Sequence, residues 1–586
     1  MEGGPDPSPR RPRLWPVLGG LGLAIIVIGV VIQVTGGPSP STTTTTSTST
    51  STPSTITTPG TSTTAEVPSS TTSTSTTEPA TTTTPVAQPG QTEYDVIVVG
   101  DGMGGATAAI VAARLGSDTL LLSPTGYPGG QAAAAGVSTM DEGGNRYVLR
   151  RAGVYRELVT YAQFKYGIGE VGDCYFIEDP LCPEPIAVEE FFRNTLGFEG
   201  VDIVLANDVS EVIQQGDRVT GVVVDGVEYR AAVVIDATEF SDLYPLVEGL
   251  EYEVGDESGC VQDTTWVAIR SWYPNGAPSH VVPPEDAMEQ LYAIYGSEAD
   301  RWLDHFRGEV VGISDRSGSG PTVLPWDLAT ETAYRALADS RRDVLQLPDA
   351  PSITKTGVNY ANDSTLSIAS IEDPAAREQE LRKALHVTYA YLWYLRWELR
   401  VTDWGVADDL QFSRGTRLIW DDLIPDALEV HLPVIPYIRE GRRLSAMYNL
   451  GAADLADDVR ERHRFDDAVM LGGYYTDFHG CPPPEGTSGY GLFEVPIGVF
   501  IPAQIDGFLP GLARAAGVSR VASAAMRTQP EEMWGGQVAG TIAGLAVANG
   551  VLPRDVPTAD VQNRLRESGL VFFLPQGPPR DGNAAP

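Results

Sequence analysis

The chain has 586 residues, too many for one hydrophobic core, so two or more domains are expected. Its 77 acidic and 40 basic residues leave a formal charge of −37, which argues against a nucleic-acid partner because phosphates would be repelled. The four cysteines are too few for a disulfide scaffold and show no C-x-x-C spacing, so neither a structural zinc nor any other metal is expected.

Residues 1–13 read as a short cytoplasmic tail carrying Arg10, Arg11 and Arg13. Residues 14–34 are uncharged and, as a helix of roughly 32 Å, reach across a bilayer. The arginines before the run place the N-terminus inside and the rest of the chain outside. A single-pass anchor is therefore expected, with cleavage and secretion as the alternative. Residues 35–92 are almost wholly Thr, Ser and Pro and read as a disordered stalk. It would span roughly 40 Å as a coil and roughly 170 Å if fully extended.

The first folded stretch is EYDVIVVGDGMGGATAAIVAARLGSDTLLL, from Glu93. Tyr94–Val99 suits a parallel strand buried on both faces. Gly100, Gly102 and Gly105 give G-x-G-x-x-G between that strand and a helix expected over Met103–Leu115. Such a turn, with Gly104 beside it, presents helix N–H groups to a pyrophosphate. Thr119–Leu122 returns as the next strand. Ser123 stands where a dinucleotide-binding unit usually places an acid for the ribose hydroxyls.

Several further segments carry a family resemblance. TGYPGGQAAAAGVSTMDEG (Thr125–Gly143) is similar to the second flavin-contacting segment of FAD-dependent oxidoreductases with a glutathione-reductase-type Rossmann fold. More narrowly, it resembles a bacterial family in which some members are labelled xanthan lyase. The resemblance implies FAD as cofactor, with Gly129, Gly130 and Gln131 running along the pyrophosphate toward the isoalloxazine. Val219–Ala237 is a hairpin with its turn at Asp225-Gly226. It leads into Asp236-Ala237-Thr238, which resembles the A-T-G-x-x-x-D segment after the meander of such enzymes, although Glu239 replaces the glycine. There Ala237, Thr238 and Asp242 would face the cofactor, and the backbone of Val209 would meet the adenine. Cys174 and Cys182, eight residues apart, either form a local disulfide or stay as thiols; Cys260 and Cys481 have no evident partner.

Residues 251–429 break the α/β rhythm and are expected to form a substrate or cap domain. Tyr389, Trp393 and Trp397 sit at helical spacing in Ala375–Val401 and read as core. Asn359, Asn362 and Asp363, with Gln262, Thr264 and Thr265, are candidates for holding a hydroxylated substrate or for capping turns. In IPYIREGRRLSAMYNL (Ile435–Leu450), Arg442 or Arg443 is a candidate for binding an anion near the flavin, and Arg439 with Glu440 reads as an ion pair. AVMLGGYYTDFHGC (Ala468–Cys481) holds His479, the one histidine of six inside a family-like motif, beside Tyr475 and Asp477. His479 is the expected base, with Arg442 and Tyr475 as companions. In the closing segment, Gly535-Gly536-Gln537 is expected to turn into a helix over Val538–Ala548 whose N-terminus stabilises reduced flavin.

These readings combine into an α/β FAD-binding Rossmann-type domain with a β-meander, built from residues 93–250 and 430–552. The mixed, partly helical segment 251–429 is inserted into it, and residues 553–586 form a C-terminal helix and tail. The expected function is a membrane-tethered extracytoplasmic oxidoreductase passing hydride from a polyol, carbohydrate or organic acid to flavin N5, with an unknown electron acceptor. The alternatives are a non-catalytic flavin-fold binding domain at the cell surface and a carbohydrate lyase-like enzyme.

Overall fold

The computed structural model describes residues 91–574, except 143–145, 151, 168, 170, 173, 175–180, 207–208, 257, 311–326, 342–349, 411, 413–414, 456–462 and 483–490. The expected membrane span and nearly all of the stalk fall outside the described residues. Among the described residues, no helix is long and apolar enough to cross a membrane.

A mixed seven-stranded sheet anchors the fold. Strand β1 (Glu93–Val99) buries Val96, Ile97 and Val98 completely. Each such side chain contributes about 1.5–3 kcal/mol on leaving water. β1 pairs in parallel with β2 (Thr119–Ser123) on one side and with β6 (Val227–Asp236) on the other. β3 (Asp202–Leu205) extends the parallel set beyond β2. The meander β4 (Val209–Gln215), β5 (Arg218–Val224) and β6 is antiparallel. Its second turn has positive φ at both Asp225 and Gly226, the type I′ geometry that suits a two-residue hairpin.

The C-terminal part returns to the same sheet. β7 (Phe508–Pro510) lies parallel to the end of β6. Helix α1 (Met103–Arg114) packs against the long helix α2 (Gln529–Asn549). Their contact is backbone against backbone. A methyl on Gly536 would lie 2.0 Å from the Gly104 carbonyl oxygen, and one on Gly540 2.4 Å from that of Ala108. Residues four apart lie on one face of a helix, so Gly536, Gly540 and Gly544 form the groove that admits α1.

This overturns the expected glycine turn at Gly535. Helix α2 begins at Gln529, and Gly535 and Gly536 lie inside it as packing residues. A methyl on Gly535 would meet Ala513 at 2.8 Å. Gln537 is equally committed: its amide accepts from Val154 N–H and donates to Ser568 Oγ.

Most of the segment between the two halves has its own hydrophobic core, centred on Trp266, Phe306, Tyr389, Tyr391 and Tyr394. The expected helix there runs over Pro374–Trp393 and continues as one π-turn over Tyr394–Glu398. Tyr389 belongs to this core, as its spacing indicated.

Candidate active site

The glycine turn between β1 and α1 separates into positions that serve packing and one that does not. Gly100 has φ +106°, and a Cβ there would strike the Ala237 carbonyl at 2.2 Å. Gly105 lies against Gly100 and Ala237, and Gly104 against Gly511, in each case too close for a methyl. Ala237 itself is fixed by its N–H donating to Val99. Gly102 differs, because a Cβ there would meet no neighbour closer than the Glu239 carboxylate at 3.1 Å. It caps α1 without a side-chain cap, and the first turn of α1 holds no acid. The N–H groups of that turn have no intrahelical acceptor.

The second glycine pair completes the cradle. Gly129 has φ +114° and donates its N–H to the Asp101 carbonyl at 2.8 Å. Gly130 has φ +42° and lies on Gly102, 2.6 Å from where a Cβ would touch it. The Glu239 carboxylate, gripped by Arg514 at 2.6 Å, stands against both Gly102 and Gly130. An anion at a helix N-terminus is what a phosphate would supply there. Next along, Gln131 is buried with Oε1 unpaired, while its Nε2 donates to the Arg527 carbonyl. Uncapped helix N–H groups, a glycine surface open to a ligand and an orphaned amide acceptor together fit the pyrophosphate and ring N–H of FAD.

Other expected cofactor contacts are placed elsewhere. Thr238 is turned inward onto Asp236 and accepts from Asp242 N–H. Asp242 is clamped by both Arg377 and Arg442, so its carboxylate seals the boundary with the inserted segment instead of facing a cofactor. Val209 opens the edge strand β4, just after 207–208. Ser123 ends β2 and donates to Asp101.

Behind Gln131 a chain of polar contacts leads to a cavity. Arg527 donates to Asp477 Oδ2 at 2.9 Å and to the Tyr437 hydroxyl at 2.5 Å. Asp477 lies 3.3 Å from His479 Nε2, and Asp363 lies 2.5 Å from His479 Nδ1. Arg439 in turn holds Asp363 at 3.1 Å. The cavity, about 450 Å³, is lined by Asp263, Asp363, Asp477 and His479 together with Trp302, Tyr360 and Phe478. Tyr360 sits at φ +121°, a strained conformation for a residue with a side chain, and its ring meets that of His479 edge-on at 5.5 Å.

The electrostatics follow from this arrangement. Burial and Arg439 push the His479 pKa down, but the carboxylates of Asp363 and Asp477 outweigh them and raise it. Both ring nitrogens face carboxylates, so the ring is an imidazolium donating to each. Burial pushes the Asp363 carboxyl up, yet Arg439 and His479 hold it down to about 2. Asp477 is likewise held well below the usual carboxylate range by His479 and Arg527 against its burial. Asp263 goes the other way: burial, then the Asp363 charge, raise it to about 6.

Asp263 was not singled out from the sequence, where only its neighbours Gln262, Thr264 and Thr265 were. Among the described residues its carboxylate has no hydrogen-bond or ion-pair partner. It lies beside Gly480, where φ is +75° and a Cβ would fall 2.1 Å from Asp263 Oδ1. A disulfide between Cys260 and Cys481 ties the two chain segments together, and His479 O accepts from Asp263 N–H. That pairing spans 221 positions and gave no signal in the sequence, whereas the local pair Cys174–Cys182 is also bonded. No cysteine is free.

The other two expected companions of His479 do not reach the cavity. Arg442 is buried on Asp242, Glu372 and the carbonyls of Phe240 and Ile371. Tyr475 is stacked on Tyr474 and is partly exposed, apart from the cavity lining. Arg443 pairs with Glu440, as does Arg520. Of the polar cluster, Asn359 accepts from Arg439, and Asn362 is committed to the Trp266 carbonyl and Thr388.

A glycine cradle at the carboxyl end of a mixed α/β sheet, joined through Gln131 and Arg527 to a polar cavity, is the arrangement of a flavin-dependent enzyme. The chain belongs to the FAD dependent oxidoreductase family, whose pattern matches residues 95–565. It is an FAD-dependent oxidoreductase, and its cofactor is FAD. No curated protein matches the chain. Among solved structures it is similar to the anhydrotetracycline hydroxylase OxyS from Streptomyces rimosus, at 18% identity and a TM-score of 0.23 over 32% of this chain and 41% of that one. A geranylgeranyl bacteriochlorophyll reductase-like protein from Thermoplasma acidophilum matches at 19% identity and 0.21 over 32% and 48%. Thioredoxin reductase from Lactococcus lactis matches at 21% identity and 0.17 over 25% and 35%. The chain thus spans less than half the length of each.

Proposed function

We propose that the cavity at His479 takes a small polyol or carbohydrate and that the enzyme removes a hydride and a proton from one of its carbinol groups. FAD, when bound, supplies the hydride acceptor. The reading is carried by Asp263, a cavity carboxylate without a partner among the described residues, its pKa raised to about 6 by burial and Asp363, so that it is ionised at neutral pH and still basic enough to take a hydroxyl proton. His479 gives both of its ring N–H groups to Asp363 and Asp477 and so does not act as the base; it fixes those two carboxylates in the cavity wall. Tyr360, Trp302 and Phe478 offer flat apolar faces for the carbon skeleton. An organic acid is disfavoured, because Arg439, Arg442 and Arg443 are each already paired with a carboxylate of this chain. The test is anaerobic bleaching of the bound flavin by polyols, sugars and organic acids; bleaching by organic acids alone would reject the assignment.

The same reading places the enzyme outside the cytoplasm, tethered by residues 14–34, with segment 251–429 as the substrate-side domain. Two disulfides support an oxidising compartment. Mass spectrometry of the mature chain decides the tether: an N-terminus at Ser41 or beyond would sink it.

A further inference from the structure

The acid missing from the end of β2 has a counterpart two residues past the end of β1. β1 and β2 are parallel neighbours, with Val99 opposite Leu122, so Asp101 and Ser123 emerge side by side at the carboxyl edge of the sheet. Ser123 Oγ donates to Asp101 Oδ2, and Thr125 Oγ1 donates to the same oxygen at 2.5 Å. Ser123 also accepts from Gly126 N–H at 2.8 Å, and Thr125 from Tyr127 N–H at 3.0 Å. A hydroxyl has one proton to give, and both hydroxyls have given it to Asp101. The strong acceptor at this corner of the cradle is therefore the Asp101 carboxylate, which lies between Gly100 and Gly102 and is only 3% exposed.

We infer that Asp101 does the work of the absent strand-end acid: it accepts from the adenosine ribose hydroxyls of FAD, and Ser123 and Thr125 hold it in place. The acid has moved across the gap between two strands, and the position it left carries a donor that aims it. A carboxylate inside the glycine turn needs a donor beside it to be tolerated without solvent. The two hydroxyls supply this, partly offsetting the burial that pushes its carboxyl up.

The experiment is a titration of the deflavinated full-length protein with FAD and with an FAD analogue lacking the ribose 2′-hydroxyl of its adenosine, read by flavin fluorescence quenching. Wild type should bind FAD at least about 10-fold more tightly than the analogue, the range for a hydrogen bond to a charged group. Asp101→Asn should lose most of that preference, and Ser123→Ala should keep most of it. Adding Ser123→Glu to Asp101→Gly should restore it. Equal binding of FAD and the analogue by wild type would overturn the inference without any variant having to fold. So would Asp101→Asn weakening both ligands by the same factor, which is the mark of a loop brace alone.

Discussion

Replacing Asp263 by Asn should produce two effects of opposite sign. The isosteric change removes the proton acceptor but leaves cavity shape and the neighbouring Gly480 undisturbed. Loss of a positioned base costs about 10²- to 10⁴-fold in the rate of flavin reduction. In wild type, a carboxyl near 6 is about 10% ionised at pH 5 and about 90% at pH 7, so the rate should climb roughly tenfold across that window. The groups that set this limb are Asp363, which raises the Asp263 pKa, and Arg439, His479 and His305, which lower it. Stability should move the other way. An acid whose native pKa lies above its unfolded value binds more protons in the native state, so it costs stability progressively as pH rises from about 4 to 6. At pH 7 the shift from 3.8 to about 6 corresponds to about 2–3 kcal/mol, which Asp263→Asn should recover. Stopped-flow reduction under anaerobic conditions and urea unfolding at pH 5 and pH 7 read the two effects on one preparation. A variant that reduces flavin within about tenfold of wild type and keeps the pH limb would refute the argument.

Gly536→Ala drives a methyl into the Gly104 carbonyl and should destabilise the fold by about 1–3 kcal/mol, seen in urea unfolding. Removing the Cys260–Cys481 bridge by a double Ser substitution frees a loop of 221 positions, at about 5 kcal/mol on the chain-entropy model. It should lower turnover while FAD affinity stays at the wild-type value, because the bridge holds His479 to Asp263 and not the cradle. Arg442→Gln leaves Asp242 to Arg377 alone and Glu372 to solvent; both carboxylates are more than a third exposed, so the cost in unfolding experiments should be only about 1–2 kcal/mol, with no change in which substrates bleach the flavin.

The strand–glycine–helix unit and the hairpin were legible because each depends on local rules: a β-branched run, glycines at a fixed spacing, and two residues able to adopt positive φ. The two halves of the sheet could be joined in sequence only by resemblance, since the pairing of Phe508–Pro510 with β6 leaves no periodic trace in so short a strand. Gly535-Gly536 misled for a physical reason. A glycine pair before an apolar helix looks the same whether it touches a cofactor or admits another helix, and only the position of α1 decides. His479 stood out as one histidine in a matched motif. Asp263 did not, because its distinction lies in having no partner, and that is a property of the folded cavity. The arginines were misread in the opposite sense: Arg442 and Arg443 suggested an anion site, but Arg442 meets Asp242 and Arg443 meets Glu440, while Arg439, expected on Glu440, pairs with the distant Asp363.

The central claim is that a polyol or sugar held at Asp263 and His479 reduces the bound flavin. The most direct measurement is anaerobic mixing of the flavin-loaded full-length protein with polyols and sugars, protonated and deuterated at the carbinol carbon. The flavin should bleach with at least one of them, more slowly for the deuterated form, and not with Asp263→Asn. A flavin that stays oxidised with every polyol and sugar, or that bleaches equally in the variant, would contradict the account.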